Sequence, residues 1–183
     1  GQARDGLAHL DKAIAANPRD AQLLTTRAYL TIVADGFTKA EPWLERAALH
    51  AEIAEPQLNI LSWTRAFHET SMTRSLELAR RAEKLAPDIS QAMANTVALV
   101  EAEAGNVHAA WTYLQRSHHR LSFEPPSDDD GYVYGRIAEE LGLRDDAIAA
   151  YRRIKAQPEH YAMPTASDFA ARALKRLGAP PKP

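Results

Sequence analysis

The chain has 183 residues, of which 45% are apolar and 25% are charged, and this composition is typical of a folded domain with a continuous core. Its formal net charge of −2 offers no basic surface to the phosphates of a nucleic acid, so we expect no nucleic-acid partner. The sequence contains no cysteine, which excludes disulfides, thiolate nucleophiles and cysteine-based zinc sites.

The first residues, GQARDGLAHL, lack the charged-then-apolar order of a signal peptide, and no apolar run approaches the length of a membrane span. We therefore expect no direct insertion into a membrane. Because the chain begins with Gly1 and not with Met, we expect a truncated N-terminus, and whether a targeting segment or a further domain was removed stays open. The lack of cysteine fits the cytoplasm and the periplasm equally, so the compartment stays open as well.

Apolar residues recur at helical spacing along almost the whole chain, and the breaks between these stretches coincide with proline or glycine. The strict alternation that is typical of a strand is not sustained for long anywhere. The pattern therefore predicts an all-α chain of about ten helices. In chain order they lie near residues 3–16, 20–34, 39–54, 57–69, 73–86, 90–104, 107–120, 130–142, 145–157 and 166–177.

Small residues return along the sequence at intervals of 34 to 37 residues, which indicates an internal repeat. One series occupies the second helix of each predicted pair and consists of Gly6, Ala40, Ser75, Ala110 and Ala147. The other occupies the first helix and consists of Ala28, Trp63, Ala98 and Gly135, with Trp63 as its exception. Antiparallel helices approach closely only where facing side chains are small, so we expect bulky neighbours such as Tyr151, Leu141 or Ile148 to fill the gaps.

The same positions resemble the tetratricopeptide repeat family, which has a period near 34 residues. The residues that match best are Gly135, Ala147 and Tyr151 with Pro158 nearby, followed by Ala98, Gly105, Ala110 and Leu114. The resemblance implies a right-handed α-solenoid of antiparallel helix pairs that forms one domain over 1–183. Its predicted parts are a partial repeat at 2–19, repeats at 20–55, 56–88, 89–126 and 127–160, and a capping helix at 164–178. We expect Arg172, Lys175 and Arg176 to form the exposed side of that cap.

Candidate catalytic and metal-binding residues are few. His118 and His119 precede an acidic run at 128–130, but adjacent helical side chains point about 100 degrees apart and do not converge on a metal. The acidic run is better explained as the start of a helix, where carboxylates meet the positive end of the helix dipole. Glu139 and Glu140 are likewise adjacent and on different faces. We therefore expect no enzyme activity, no cofactor and no metal.

The first helices of a solenoid line its concave face, and projecting the helical period from the small positions identifies the side chains on it. This predicted groove contains Tyr29, Ile32, Ile60, Thr64, Phe67, Asn95, Leu99, Tyr132 and Arg136. We expect it to bind a peptide or protein segment, with aromatic residues as anchors and Asn95 or Arg136 fixing the backbone or a carboxylate. The alternative for Tyr29 and Phe67 is that they fill gaps between helices.

The favoured function is a non-catalytic protein-interaction module or scaffold, and the abundance of alanine and arginine hints at a bacterial source. Family members that hold the C-terminal carboxylate of chaperones use a clamp of Lys, Asn and Arg, whereas the corresponding positions here carry no basic residue. Those positions are Thr25, Tyr29, Leu61, Ala92 and Thr96. Two alternatives remain: a regulatory or substrate-docking segment of a larger transferase or peptidase, and an array that self-associates into a homo-oligomer.

Overall fold

A computed structural model of the chain describes residues 2–50, 55–69, 71–85, 91–118, 126–156 and 163–180. Within these ranges it contains ten α-helices and no strand. The helices are α1 (Gln2–Ala16), α2 (Ala21–Asp35), α3 (Phe37–His50), α4 (Glu55–His68), α5 (Met72–Leu85), α6 (Gln91–Glu103), α7 (Val107–His118), α8 (Asp128–Glu140), α9 (Arg144–Arg153) and α10 (Ala166–Arg176). The prediction of an all-α chain is confirmed.

Short polar residues and glycines set the ends of these helices. The Asp20 carboxylate accepts hydrogen bonds from the backbone N–H groups of Gln22 and Leu23, at 2.9 and 3.0 Å, and so satisfies free donors at the start of α2. Ser127 and Asp130 cap the start of α8 reciprocally, with N···O distances of 3.0 and 3.1 Å. Because side-chain caps of this kind are local, a few neighbouring residues determine where α2 and α8 begin.

Consecutive helices pack against each other, and α6 also packs against both α4 and α8. The strongest packing joins α2 with α3, α4 with α5, α6 with α7 and α8 with α9. This arrangement of neighbouring hairpins is consistent with an all-α helical repeat. The predicted repeat boundaries at 88–89 and 160, and Pro158 of the best-matching unit, lie outside the described residues.

Small residues occupy the close contacts within the helix pairs. Ala40, Ala110 and Ala147 are fully buried, and a Cβ atom added to Gly135 would lie only 2.5 Å from Cε1 of Tyr151. The prediction that Tyr151 fills the gap beside a small residue is therefore confirmed. Leu141 does not fill one, because it follows the end of α8 and is 59% exposed.

The buried apolar side chains form three clusters along the chain. The smallest surrounds Ile14 and Leu24, the second surrounds Phe37 and Leu44, and the largest runs from Trp63 in α4 to residues beyond α10. The largest cluster is the one that contains α10, so the C-terminal helix is part of the core formed by α4 to α9. Among the described helices, none combines the length and the apolar character that crossing a membrane requires.

Candidate functional site

The last helix, α10, contacts the first helices of the repeat through one aromatic side chain. Phe169 is fully buried, and its ring centroid lies 5.0 Å from that of Phe67, 5.1 Å from that of Tyr132 and 5.4 Å from that of Trp63. The indole N–H of Trp63 also donates a hydrogen bond to the backbone oxygen of Pro164, at 2.8 Å. Side chains from α4 and α8 therefore hold the same residue of α10.

Two arginines of α10 also make charged contacts, with carboxylates on α6 and α8. Arg172 donates to the Glu103 carboxylate at 2.8 Å and to the backbone oxygen of Phe67, and its guanidinium lies 5.0 Å from the Phe67 ring centroid. Arg176 donates two hydrogen bonds of 2.8 Å to Glu139. The expectation that Arg172 is exposed is wrong, because its side chain is 23% exposed and pairs with Glu103, whereas Lys175 and Arg176 are exposed as expected.

Glu103, at the end of α6, is the buried carboxylate at the centre of this region. Its side chain is 4% exposed, accepts a hydrogen bond from the Tyr132 hydroxyl and lies 3.5 Å from the Arg136 guanidinium. Burial, the negative charge of Glu103 and this hydrogen bond raise the pKa of Tyr132 above its ordinary value. Tyr132 therefore stays protonated and neutral, and its hydroxyl donates to Glu103 without placing a second negative charge beside it.

Glu139, on α8, is the second carboxylate that meets α10. Burial alone would raise its pKa, but hydrogen bonds from Arg176 and from Tyr151 and the charges of Arg176 and Arg136 outweigh burial and lower the pKa. At neutral pH Glu139 is therefore ionised and paired with the Arg176 guanidinium. We call the surface formed by Trp63, Phe67, Glu103, Tyr132 and Glu139 the α10 seat.

Four of the nine residues predicted to line the groove lie at or near the α10 seat. Leu99 and Tyr132 are fully buried, and Phe67 packs against the same cluster. Arg136 was predicted to fix a partner's carboxylate, but its guanidinium already contacts Glu103, Glu139 and Glu140.

Three others, Tyr29, Ile32 and Ile60, form a separate group on α2 and α4. Ile32 and Ile60 are partly buried against the cluster around Phe37 and Leu44, and burial raises the pKa of Tyr29. These side chains keep part of their surface exposed. We call Tyr29, Ile32 and Ile60 the N-terminal patch.

The remaining two predicted residues, Thr64 and Asn95, are buried on α4 and α6. Thr64 is fully buried and Asn95 is 5% exposed, and neither Oγ1 of Thr64 nor Oδ1 of Asn95 has a hydrogen-bond partner. The nine predicted residues thus fall into a set at or near the α10 seat, a partly exposed set and this buried polar pair.

Trp63, Phe169 and Arg172 are site residues that were not predicted from the sequence. A signal was present in α10, because Phe169, Arg172 and Arg176 are spaced i, i+3 and i+7 and therefore lie on one side of the helix. A stripe that combines one aromatic residue with two arginines matches an acidic, aromatic surface. The sequence does not identify which helices provide that surface.

No cluster of three or more histidine or acidic residues that could hold a metal occurs in the part of the chain that the structure describes. His119 and the side chain of His118 lie outside that part. In the acidic run, Asp130 belongs to the cap of α8, and burial together with the charges of Asp130 and Asp128 raises the pKa of Asp129. The cap formed by Asp130 agrees with the explanation of the run as a helix start, whereas burial and like charges oppose ionisation at Asp129.

A cavity of about 540 Å³ lies on another part of the surface, between α7, the start of α8 and the end of α9. Trp111, Leu114, Tyr134 and Ile154 line it, and Trp111 and Tyr134 are 42% and 50% exposed. Its rim at Pro126 directly follows residues 119–125, which lie outside the described ranges. We assign no ligand to it.

No protein family model matches the sequence, and no curated protein is significantly similar to it. What the α10 seat and the N-terminal patch bind is therefore inferred from their own side chains, burial and charges.

Proposed function

We propose that the chain is a right-handed α-solenoid of the tetratricopeptide repeat type and that it acts as a non-catalytic protein-interaction module. In this proposal the first helices of the pairs, α2, α4, α6 and α8, form a face that holds a peptide or protein segment. The observation that supports it most directly is that α10 already lies on α4, α6 and α8 through Phe169 and Arg172. A face that holds one helix with an aromatic anchor has the chemistry to hold another.

The partner segment binds at the N-terminal patch, because the contacts described for Phe169, Arg172 and Arg176 are with α4, α6 and α8 and none of them involves this patch. Half-buried apolar side chains suit this role, since they are held by the cluster beneath them and still expose area to a partner. Tyr29 adds an aromatic ring with a polar hydroxyl, the combination enriched at protein interfaces.

The proposal is tested by replacing Tyr29 with the photo-crosslinking amino acid benzoylphenylalanine in cells of the source organism. The control carries the same replacement at Tyr134, a tyrosine on another first helix that is 50% exposed but points about 160 degrees away from Tyr132 and the α10 seat. We expect a specific protein to be cross-linked from position 29 and not from position 134. Equal labelling from both positions, or labelling from position 134 alone, contradicts the proposed face.

Once the cross-linked protein is identified, its affinity is measured for the double variant Ile32→Ser and Ile60→Ser. We expect a loss of at least about tenfold, which corresponds to about 1.4 kcal/mol of binding free energy. Circular dichroism checks that the helices remain. An unchanged affinity in a helical variant contradicts binding at the N-terminal patch.

A further inference from the structure

The contacts of α10 have the form of a bound helical ligand. One stripe of the helix carries Phe169, which is fully buried, and then Arg172 and Arg176, which pair with carboxylates. The seat provides the complementary features, namely aromatic rings for Phe169 and the acidic Glu103 and Glu139 for the arginines. Recognition by an aromatic anchor and charged pairs at fixed spacing is specific for a helix of one pattern.

The two carboxylates of the seat also favour a basic helix as the ligand. Glu103 is 4% exposed and receives Arg172 at 2.8 Å, and a buried carboxylate that loses a paired cation is strongly disfavoured. Arg136 remains near Glu103 but also serves Glu139 and Glu140. An emptied seat therefore favours refilling by a helix that carries arginine at the same positions.

We propose that the α10 seat is a helix-binding site whose partner in trans is α10 of a second copy of this chain. The helix that fits the seat is present in every copy, and all the contacts described for Phe169, Arg172 and Arg176 are available between two copies as well as within one. When two copies exchange α10 reciprocally, both seats are filled and the contact closes as a symmetric dimer. This inference concerns a different surface from the N-terminal patch and does not depend on the proposed function.

Exchange competes with the contact inside one chain. A helix that is tethered close to its own site acts at an effective concentration of about millimolar, so the intramolecular contact dominates in dilute solution. A chain whose own α10 is weakened should therefore accept the same helix from outside much better than the wild type does. This difference provides the test.

The probe is a fluorescein-labelled peptide that contains residues 163–180, titrated by fluorescence polarisation against full-length chains. The acceptor is the double variant Phe169→Ala and Arg172→Ala, which keeps the seat and weakens its own α10. We expect saturable binding to this acceptor, at least about tenfold tighter than to the wild-type chain, whose α10 competes. A peptide that carries the same two substitutions, and one with a scrambled sequence of equal charge, should each bind at least about tenfold more weakly.

The inference is overturned if a helical acceptor binds the native, substituted and scrambled peptides equally, because the seat is then a general acidic surface. If the double variant is not helical by circular dichroism, Arg172→Gln alone serves as the acceptor, since it keeps Phe169 in the core. Tight binding by the acceptor with Ile32→Ser and Ile60→Ser added separates this site from the N-terminal patch, and loss of binding there overturns the assignment to the seat.

Sedimentation of the wild-type chain from micromolar to millimolar concentration tests exchange itself. We expect a monomer that converts to a dimer as the concentration rises, whereas the Phe169→Ala and Arg172→Ala variant stays monomeric over the same range. A wild type that remains monomeric throughout, or a variant that dimerises equally, overturns the second copy as the partner even where the peptide binds.

Discussion

The contact between Gly135 and Tyr151 gives the sharpest test of how the helix pairs pack. A Cβ at position 135 would lie 2.5 Å from Cε1 of Tyr151, 2.8 Å from its Cδ1 and 3.2 Å from Cβ of Ala150. Tyr151 cannot easily move aside, because its hydroxyl donates to Glu139 at 2.8 Å and its ring stacks on Tyr132 with centroids 5.5 Å apart. We therefore expect Gly135→Ala to destabilise the fold through overpacking.

Gly131 is the matched control, since it lies in the same helix and an added Cβ there would be 3.8 Å from Cγ1 of Ile154, an ordinary contact. Replacing glycine by alanine inside a helix contributes about 1 kcal/mol of propensity, and this gain is common to both variants. Overpacking costs about 1 to 3 kcal/mol and applies to Gly135→Ala alone, so the two variants should differ by about that amount. Gly131→Ala should be more stable than the wild type.

The measurement is urea unfolding followed by far-ultraviolet circular dichroism and by tryptophan fluorescence, because two probes reveal whether a repeat array unfolds in one step. Thermal unfolding is followed with the same two probes. At about 2 to 4 °C per kcal/mol for a chain of this size, about 1 to 3 kcal/mol of overpacking should separate the midpoints of the two variants by about 2 to 12 °C. If both substitutions raise the stability equally, position 135 is not tightly packed and the account of small residues as close-contact positions is wrong.

Three further predictions concern Ala147, His68 and Glu139. Ala147→Leu should lower the free energy of unfolding by about 1 to 3 kcal/mol in urea titrations, because Ala147 is fully buried between paired helices. Burial and the charge of Arg172 lower the pKa of His68 below 6.5, so a histidine NMR titration should place it there, and Arg172→Ala should move it upward while Arg172→Lys keeps it low. The pKa of Glu139 lies below its ordinary 4.5, so the ionised carboxylate contributes its full stability above pH 4.5. This contribution is lost as the pH falls through the lowered pKa of the folded state. The difference in unfolding free energy between the wild type and Glu139→Gln should therefore shrink at acid pH.

The positions of the helices could be predicted from the sequence because their signals are local. Asp20 accepts from N–H groups two and three residues away, and Gly36 and Gly142 have φ angles of 88° and 76°, a region that favours glycine at the end of a helix. The buried small positions were also predictable, since they recur with the repeat. Each of these features depends on a few neighbouring residues or on a simple period.

The location of α10 could not be predicted in the same way. Trp63 meets Pro164 across 101 residues of sequence, and Arg172 meets Phe67 across 105 and Glu103 across 69. Periodicity shows which side of an amphipathic helix is apolar, but it does not show what that side packs against. For the same reason the predicted groove included Tyr132 as an exposed anchor, although Phe169 and the neighbouring helices bury it completely.

Trp63 connects the repeat pattern with the position of α10. Where other pairs combine a small residue on the first helix with a larger one on the second, as Gly135 does with Tyr151, this pair reverses the sizes and combines Trp63 with Ala79, and both are buried. Both residues belong to the largest buried cluster, and one large residue combined with one small residue suits a packed core in either order. Trp63 also places an indole N–H and an aromatic edge at the contact with α10. The N–H donates to the backbone oxygen of Pro164, and the ring packs against Phe169. The one exception in the series of small residues therefore stands where the repeat contacts its own C-terminal helix, because a glycine or alanine there would pack the pair but provide nothing for α10 to bind.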